Sequence, residues 1–397
     1  MALTITESNN KLIRFTEEIC RELVRQNMFS PYMGESLTSI IRLRNELKAG
    51  GEDMNIPIVT RLTGQGVATG TLVGNEEKID NYGMRLRMEW ARNAVVTTKA
   101  EAHKDSADIF GEAKPLLSDW ANELQRDELI AALMALPTET LPVSSGGVRV
   151  NGIQYDLATT SDKDTWHLAN ADRILYGAST ANGAPTIATH AAALATVDGT
   201  ADKFTATNLS LLKRIAMVAD PKIRPYRTED GYEHFVAFTG VANFRDLKLS
   251  LETINKDARP REQSGLKNPI FQDGDQMYDG VIVRMVPEIS RFVGTAANPG
   301  PWFAALGAAG AVGTPAGYSG RIEPVFLCGQ QAGVIGWGQM PKPTFRKEDD
   351  YGFITGTGIE MAYGIAKMFK RHPFTSAVNT NLKQWGVATG FFAAAAD

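Results

Sequence analysis

Cysteine is nearly absent from this 397-residue sequence, which holds two, Cys20 and Cys328. They stand far apart and lack metal-ligand spacing, which favours packed thiols over a disulfide framework. We expect both to be packed thiols of a protein assembled in the cytosol.

Long apolar runs and strong net charge are also missing. No stretch reaches the ~18 apolar residues that a membrane-spanning helix needs, and the closest, 301–317, is interrupted by glycine and proline. The first fifteen residues lack the apolar core of a secretory signal. The net charge is only −4, so no excess charge draws the chain to nucleic acid or to an anionic membrane. We expect a soluble intracellular protein with no membrane partner.

Motifs for catalysis and metal binding are lacking too. The five histidines form no close pair with metal-ligand spacing, and Ser319 lies outside any nucleophile elbow. Asp273 and Asp275 flank a glycine but lack the distal glutamate of a calcium loop, so a polar turn is the favoured interpretation. We expect no enzyme activity, no cofactor and no metal.

The sequence does hold a glycine-rich stretch, RLTGQGVATGTLVGNEE, with Gly64, Gly66 and Gly70 ahead of Glu76 and Glu77. A phosphate cradle needs such glycines between a strand and a helix N-terminus, and an adjacent carboxylate pair repels phosphate. Here the segments on both sides alternate with a period of two, which indicates strands. We therefore interpret the stretch as the flexible end of a long β-hairpin.

Each strand of this hairpin has one apolar face. The apolar positions are Met54, Ile56, Ile58 and Leu62 on the first strand, and Met84, Leu86, Met88 and Trp90 on the second. A hairpin of this length is not stable alone in water, so its apolar face must pack on this chain's core or on a neighbouring subunit. Arg85, Arg87 and Arg92 carry the charge of the second strand. Because no aromatic platform accompanies them, we favour an ion-pairing edge over a nucleic-acid contact.

The remaining periodicity alternates between helix and strand. Helical spacing predicts amphipathic helices over 11–28, 35–48 and 207–218, a long helix that ends at Pro137, and a helix around 242–254. Apart from the helix over 207–218, the region 138–220 reads as loops. Strands are predicted in GYEHFVAFTG, DGVIVRMVPEI, EPVFLCG, AGVIGWG, DDYGFITGTGIEMAYG and LKQWGVATGFF. The apolar finish, GFFAAAAD, is expected to pack into a core or an interface.

Several blocks in one consistent order resemble a known family. They are RLRNELKAGGEDMNIPIV, LTGQGVATGTLVGNEE, ADPKIRPYRTEDGYEHFVAFTGVANFRDLK, KNPIFQDGDQMYDGVIVRMVPEI, EPVFLCGQQAGVIGWG, DYGFITGTGIEMAYGIAKMFK and QWGVATGFF. Together they resemble the tailed-bacteriophage major capsid proteins of the Hong Kong 97-type fold, from about residue 20 to the end. The region 141–200 departs from the commonest form of the family, since it is long and rich in alanine and threonine.

The resemblance implies an α+β fold in four parts. Residues 1–50 would form an N-terminal arm with short helices, and 51–100 the extended β-hairpin loop that lies across an adjacent subunit. Residues 101–137 and 330–397 would form a peripheral domain, built on a long spine helix and completed by the C-terminal strands. Residues 138–329 would form the axial domain, which meets its copies around the centre of each hexamer or pentamer.

The resemblance also implies a function. The chain would be the major capsid protein of a tailed phage, which self-assembles into the hexamers and pentamers of an icosahedral head. The head would enclose double-stranded DNA without sequence-specific binding, so the chain would reside in the virion after assembly in the host bacterial cytoplasm. Expected partners are other copies of the chain and a portal protein. A separate scaffolding protein is also expected, because the arm is too short to hold a fused scaffolding segment. A decoration protein is a further candidate.

Subunit contacts are expected at the hairpin, which should carry assembly rather than folding of the monomer. The expected contact residues are Gly64, Gly66, Gly70, Glu76, Glu77, Arg85, Arg87, Trp90 and Arg92. Some relatives join subunits through Lys–Asn isopeptide bonds near this loop. Here Lys78 and Asn75 lie near the tip, but no pattern identifies an acceptor. We expect no cross-links and a single 43 kDa band from assembled shells in a denaturing gel.

Two other classes of protein remain open. An encapsulin-like bacterial nanocompartment protein would share the fold, but such chains are generally shorter, and the large region 138–329 favours the phage capsid. A nucleotide- or metal-dependent hydrolase is the distant alternative. Electron microscopy of the expressed protein would separate shells, tubes or hexamer rings from a monomeric enzyme.

Overall fold

The computed structural model describes residues 27–394 except 60–61, 63, 65, 80, 105–108, 144–145, 198–199, 228–230, 232, 259–274, 296, 307–320, 347–349 and 373–380. The predicted helix over 11–28 falls almost entirely outside the described residues. Cys20 and Asp273 also lie outside them.

The described residues contain seven α-helices. They are α1 Lys99–Lys104, α2 Ala113–Met134, α3 Thr160–Ala169, α4 His190–Leu194, α5 Ala206–Val218, α6 Val241–Ala258 and α7 Pro287–Val293. The long helix α2 forms as predicted and ends three residues before Pro137. Leu117, Ile130 and Leu133 of this helix are all buried, as the predicted apolar positions require. The predicted helices over 207–218 and 242–254 are confirmed as α5 and α6.

The same residues contain seventeen strands. They are β1 Met33–Gly34, β2 Ile41–Arg44, β3 Asp53–Val59, β4 Asn81–Arg87, β5 Glu89–Thr98, β6 Val150–Asn151, β7 Ile174–Tyr176, β8 Tyr226–Arg227, β9 Glu233–Thr239, β10 Asp275–Tyr278, β11 Val281–Met285, β12 Arg321–Cys328, β13 Gly333–Phe345, β14 Ile354–Lys367, β15 Phe369–Arg371, β16 Leu382–Gln384 and β17 Val387–Ala394. The predicted C-terminal strands are confirmed, although β13 continues to Phe345, well beyond the predicted block AGVIGWG.

Most strands fall into two larger sheets. The first has the order β1-β2-β13-β14-β5, with β6 added to β14. The second has the order β10-β11-β9-β12-β17-β7, with β8 added to β9. Helix α2 packs on the first sheet, and residues of both sheets share one continuous hydrophobic core. Helices α5 and α6 cover the second sheet through a separate apolar cluster.

The expected helix over 35–48 is wrong. Part of it forms β2, which pairs in parallel with β13, and a short 3-10 helix follows at Glu46–Ala49. In IIRLR the apolar Ile41 and Leu43 alternate with Arg42 and Arg44, a period of two that fits a strand. Pairing with the long strand β13 outweighs the helical spacing of the wider window.

The region 138–205 holds more structure than the loops predicted for it. Helix α3 begins with a capping box, in which the Thr159 hydroxyl accepts from the Asp162 amide and the Asp162 carboxylate accepts from the Thr159 amide. Helix α4 and strand β7 complete the region. The Thr-x-x-Asp spacing was visible in the sequence and marks this helix start.

The C-terminal strand β17 is buried along its whole length, between β12 and β7. This confirms that the apolar finish packs into the core, as far as Ala394. Cys328, at the end of β12, is a free, buried thiol, as predicted.

Candidate intersubunit surface

The predicted hairpin is present, and its register runs from Asp53 opposite Arg87 to Val59 opposite Asn81. Strands β3 and β4 pair with each other and form a two-stranded sheet of their own. The second strand is shorter than expected, because it ends at Arg87. Trp90 and Arg92 belong to β5, which pairs with β14 in the first sheet. The apolar stripe predicted over Met84–Trp90 is therefore divided between two sheets.

The base of the hairpin packs on its own chain. Met84 and Leu86 are fully buried in a cluster that also contains Met54, Val334 and Ala366. Our expectation that the hairpin carries assembly rather than folding of the monomer is wrong for this half. Side chains at Met84 and Leu86 belong to the subunit's core.

Two glycines allow this close packing. Gly336 and Gly364 are paired across β13 and β14. A Cβ atom on Gly364 would lie 2.1 Å from the Arg87 carbonyl oxygen, and one on Gly336 would lie 2.8 Å from Leu86 Cδ2. A larger residue at either position would push the hairpin base off the sheet.

A polar clamp fixes the same end of the hairpin. The Arg87 guanidinium donates to both carboxylate oxygens of Asp53, and the Arg85 guanidinium lies 2.7 Å from Asp53 Oδ2. Asn151 Oδ1 accepts from the Arg87 amide at 2.9 Å, and its Nδ2 donates to the Arg87 carbonyl at 2.8 Å. The hydrogen bond from Arg87 lowers the pKa of Asp53. The predicted ion-pairing role of Arg85 and Arg87 is confirmed, with a partner inside the chain.

A second polar contact supports the middle of β4. The Tyr82 hydroxyl donates to Glu139 Oε1 at 3.1 Å, and the Arg371 guanidinium lies 2.6 Å from Glu139 Oε2. Burial raises the pKa of Tyr82, so its hydroxyl stays a neutral donor.

Beyond Val59 the regular pairing of the two hairpin strands ends. The described residues between Val59 and Asn81 form turns and coil, with no helix whose N-terminus faces the glycines. The Gly64 amide donates to Glu77 Oε2 and the Gly74 amide to Glu76 Oε2, each at 2.7 Å. The two carboxylates therefore accept from amides of their own loop. The glycines do not form a phosphate cradle ahead of a helix N-terminus.

This outer part, which we call the tip (the described residues of 59–79), exposes a set of aliphatic side chains. Val73 is 79% and Leu72 66% exposed. The full set is Val59, Leu62, Val67, Leu72, Val73 and Ile79. So many exposed aliphatic side chains on one short segment are typical of a surface that another molecule covers.

A second uncovered surface lies on the first sheet. On β5 the side chains of Trp90, Arg92, Ala94 and Val96 point to the same face, since alternate residues share a face. All four are exposed, Trp90 by 47% and Val96 by 50%. We call this surface the open face.

Pairing across the three strands extends the open face. Arg92 is opposite Glu360, which is opposite Lys342, so a row of charges crosses it. Glu360 also accepts from Gln339 Nε2 at 2.9 Å. The next row holds the small residues Ala94, Gly358 and Thr344. The opposite side of the sheet is closed, because Met361 and Ile359 are buried in the core that includes α2.

The open face is anchored to helix α2. Arg149 Nη1 donates to the Trp90 carbonyl at 3.1 Å, and Arg149 Nε donates to Glu128 Oε1 of α2 at 2.8 Å. The Tyr363 hydroxyl donates to the other oxygen of Glu128 at 2.7 Å. Arg149 therefore links the Trp90 backbone to Glu128 of α2.

Among the described residues, no group of three or more histidine, cysteine, aspartate or glutamate side chains is arranged to hold a metal ion. No described helix is both long and apolar enough to cross a membrane.

Comparison with known proteins gives a consistent result. A family model described as phage capsid protein matches residues 6–388. A capsid chain of cyanophage Pam1 is 31% identical, with a TM-score of 0.80 and 100% of both chains covered. A search of curated proteins finds no match.

More distant capsid structures have the same fold. A capsid chain of Ralstonia phage GP4 is 16% identical, with a TM-score of 0.68, over 100% of this chain and 99% of that one. A capsid chain of the Helicobacter pylori bacteriophage KHP30 is 13% identical, with a TM-score of 0.63 and 99% of both chains covered.

Proposed function

Because this chain belongs to the phage capsid protein family and is a structural subunit of a capsid, we propose that its hairpin joins the subunits: the tip of one copy lies on the open face of the next. Its fold is the α+β fold of the Hong Kong 97 type. The family match favours neither the nanocompartment nor the hydrolase alternative.

The observation that carries this proposal is the contrast between the two halves of the hairpin. Its base is buried and clamped, with Met84 and Leu86 fully enclosed. Its tip exposes six aliphatic side chains. A rigid base holding an apolar tip away from the core presents that tip to another molecule, and in a shell of identical copies the neighbour is the same chain.

The open face suits such a tip in shape. The base of the hairpin already covers one half of this sheet surface, where Gly364 and Ala366 lie. The other half, with Glu360 and Gly358, continues the same surface, because alternate residues of β14 share a face. Small side chains leave it shallow, while Trp90 and Val96 provide apolar area at its border.

Charge favours the same arrangement. The tip brings Glu76 and Glu77, and the open face brings Arg92 and Lys342 on either side of Glu360. A single exposed ion pair contributes only ~0–1 kcal/mol. Such pairs fix register and orientation more than affinity, and the contact recurs at every copy of the chain. Gly64, Gly66 and Gly70 give the tip the backbone freedom to adapt to the open face of the next copy.

The domain roles follow the family resemblance with one adjustment. We assign the first sheet and α2 to the peripheral domain and the second sheet to the axial domain that meets its copies in hexamers and pentamers. Strand β17 lies inside the second sheet. We therefore place 387–394 with the axial domain, although the resemblance alone assigned 330–397 to the peripheral domain.

The wider roles rest on the family resemblance alone. We propose that the shell encloses double-stranded DNA without sequence-specific contacts and assembles in the host cytoplasm. A separate scaffolding protein, a portal protein and a decoration protein are the proposed partners, and no enzymatic activity is assigned.

A cross-linking experiment tests the contact. In assembled particles carrying Glu77→Cys and Arg92→Cys, a short bismaleimide should give a ladder of linked subunits in a denaturing gel. The matched control is Glu77→Cys with Arg214→Cys, since Arg214 is exposed on α5 and outside the open face. Particles that form but give no more ladder than the control would contradict the proposed contact.

A further inference from the structure

Four buried aromatic and imidazole side chains form one continuous chain of hydrogen bonds. Tyr155, His190, Tyr176 and His167 are each at most 2% exposed. Tyr155 Oη lies 2.7 Å from His190 Nε2, and Tyr176 Oη lies 2.7 Å from His190 Nδ1 and 2.8 Å from His167 Nδ1. His167 Nε2 lies 2.8 Å from the Ile187 carbonyl oxygen.

The last contact fixes the direction of every other one. A carbonyl only accepts, so His167 Nε2 carries a proton and, in the neutral ring, Nδ1 is an acceptor. The Tyr176 hydroxyl must then donate to His167, and His190 Nδ1 must donate to Tyr176. That leaves His190 Nε2 as an acceptor for the Tyr155 hydroxyl. The two histidines therefore hold opposite tautomers.

An additional proton requires this chain of hydrogen bonds to rearrange. A second proton on His167 would make its Nδ1 a donor to Tyr176, so the Tyr176 hydroxyl would have to donate to His190 and His190 would have to change tautomer. A second proton on His190 would force the Tyr155 hydroxyl to turn to the Ala305 carbonyl at 3.3 Å. Either proton therefore places a charge in the core and replaces the 2.7 Å contact of the Tyr155 hydroxyl with a longer one, and a buried charge opposes folding.

The charged groups around the chain offer little compensation. The Asp164 carboxylate of α3 favours a proton on His167 less than burial opposes it, and it accepts from the His190 backbone amide at 2.8 Å. The Lys163 ammonium lies 4.7 Å from the centre of the Tyr155 ring and repels a proton on His190. On the far side of Trp166 stands Lys367 of β14, a second cation.

The chain joins parts of the fold that are separate in sequence. His167 lies on α3, Tyr176 on β7 and His190 at the start of α4, and Tyr176 stacks on Phe391 of β17 at 5.3 Å. We propose that these four side chains form an acid-sensitive lock, which holds α3, β7 and α4 against β17 while both imidazoles are neutral and weakens when either gains a proton.

The direction of the pH effect follows from burial. Burial lowers the pKa of His190 to about 3 and also lowers that of His167. The unfolded chain binds protons near the usual histidine pKa of about 6.5, so between that pH and about 3 it binds more than the folded one. The lock's stability is present above pH 6.5 and is lost as the pH falls through this window. This inference does not depend on the proposed hairpin contact.

The first test is denaturant unfolding of the unassembled full-length subunit between pH 7.5 and 4.5. The unfolding midpoint of the native chain should fall more steeply with acid than that of His167→Gln/His190→Gln, which has nothing to protonate there. His103→Gln is the control, because His103 is exposed on α1, and it should keep the native slope. An equal slope in the double variant and the native chain would overturn the lock.

A second measurement needs no variant to fold. Nuclear magnetic resonance of histidine-labelled native subunit at pH 7 should show His190 protonated on Nδ1 and His167 on Nε2. His190 should keep its form at pH 5, because burial lowers its pKa to about 3. The same tautomer in both rings, or titration of either near pH 6.5, would overturn the proposal.

Discussion

At the scale of single residues, Asn151 shows how one side chain can complete a strand. Its amide group accepts from the Arg87 amide and donates to the Arg87 carbonyl, which is the pattern a neighbouring strand would supply. Asn151 is 6% exposed, so these backbone groups meet little water. The base of the hairpin is therefore fixed at the point where β4 ends.

Replacing this side chain should destabilise the subunit. Asn151→Ala leaves two backbone groups of Arg87 without partners, and each unsatisfied buried group costs about 1–3 kcal/mol. Denaturant unfolding of the unassembled subunit measures the loss. Asn93→Ala is the matched control, because Asn93 is exposed on β5 and bonds only the next amide. Equal stability of the two variants would show that Asn151 does not hold the hairpin base.

Lys367 should give the subunit a stability that depends on pH. Its ammonium is buried and donates to the Leu133 carbonyl at 3.1 Å, and burial lowers its pKa to about 7. In the unfolded chain the pKa returns to about 10.4, so the unfolded state binds more protons above pH 7. Stability should therefore rise with pH from 7 to 9, by up to about 1.4 kcal/mol per pH unit.

Lys367→Met should remove that rise. The measurement is the free energy of unfolding at pH 7, 8 and 9 for the variant and for Lys342→Met, whose lysine is exposed. The control should keep the native slope. A native slope in Lys367→Met would show that another group causes it.

At the scale of elements, regular periodicity predicted most of what formed. The period of two in β3 and β4, the helical spacing of α2, and the helices α5 and α6 were all visible in the sequence. The failure at 35–48 occurred because a long-range pairing decided the outcome. The segment at Ile41 forms a strand because it pairs with β13. That partner lies far along the chain, so a local stretch of sequence does not reveal the pairing.

The candidate site was predictable only where its residues are neighbours in sequence. The glycine-rich tip and its carboxylates stand together in the sequence. The open face does not, since Arg92, Glu360 and Lys342 meet only through the register of three strands. The separation of Trp90 from the hairpin was also invisible, because the alternation continues unbroken past Met88.

The two halves of the hairpin should respond differently to mutation. Met84→Ala and Leu86→Ala empty buried positions and should destabilise the subunit by about 2–5 kcal/mol each. Leu72→Ser and Val73→Ser change exposed positions and should alter monomer stability by less than about 0.5 kcal/mol. They should nevertheless reduce particle yield in sedimentation. Tip variants that assemble as well as the native chain would show that the apolar tip is not an interface.

At the scale of the whole molecule, weak contacts gain importance by repetition. A shell places the same contact at every subunit, so the small loss from one altered ion pair accumulates across the particle. The subunit itself is held together by a core shared by both sheets. Folding and assembly should therefore be separable by mutation at the tip.

Particle yield of a charge-reversed tip tests this claim most directly. Glu76→Arg/Glu77→Arg should leave thermal unfolding of the unassembled subunit nearly unchanged, while closed particles in sedimentation are lost or form only at altered salt. Glu76→Gln/Glu77→Gln keeps acceptors for the Gly64 and Gly74 amides and should reduce yield less. A charge-reversed subunit that unfolds, or one that closes shells in native yield, would contradict the account of the hairpin as the contact between subunits.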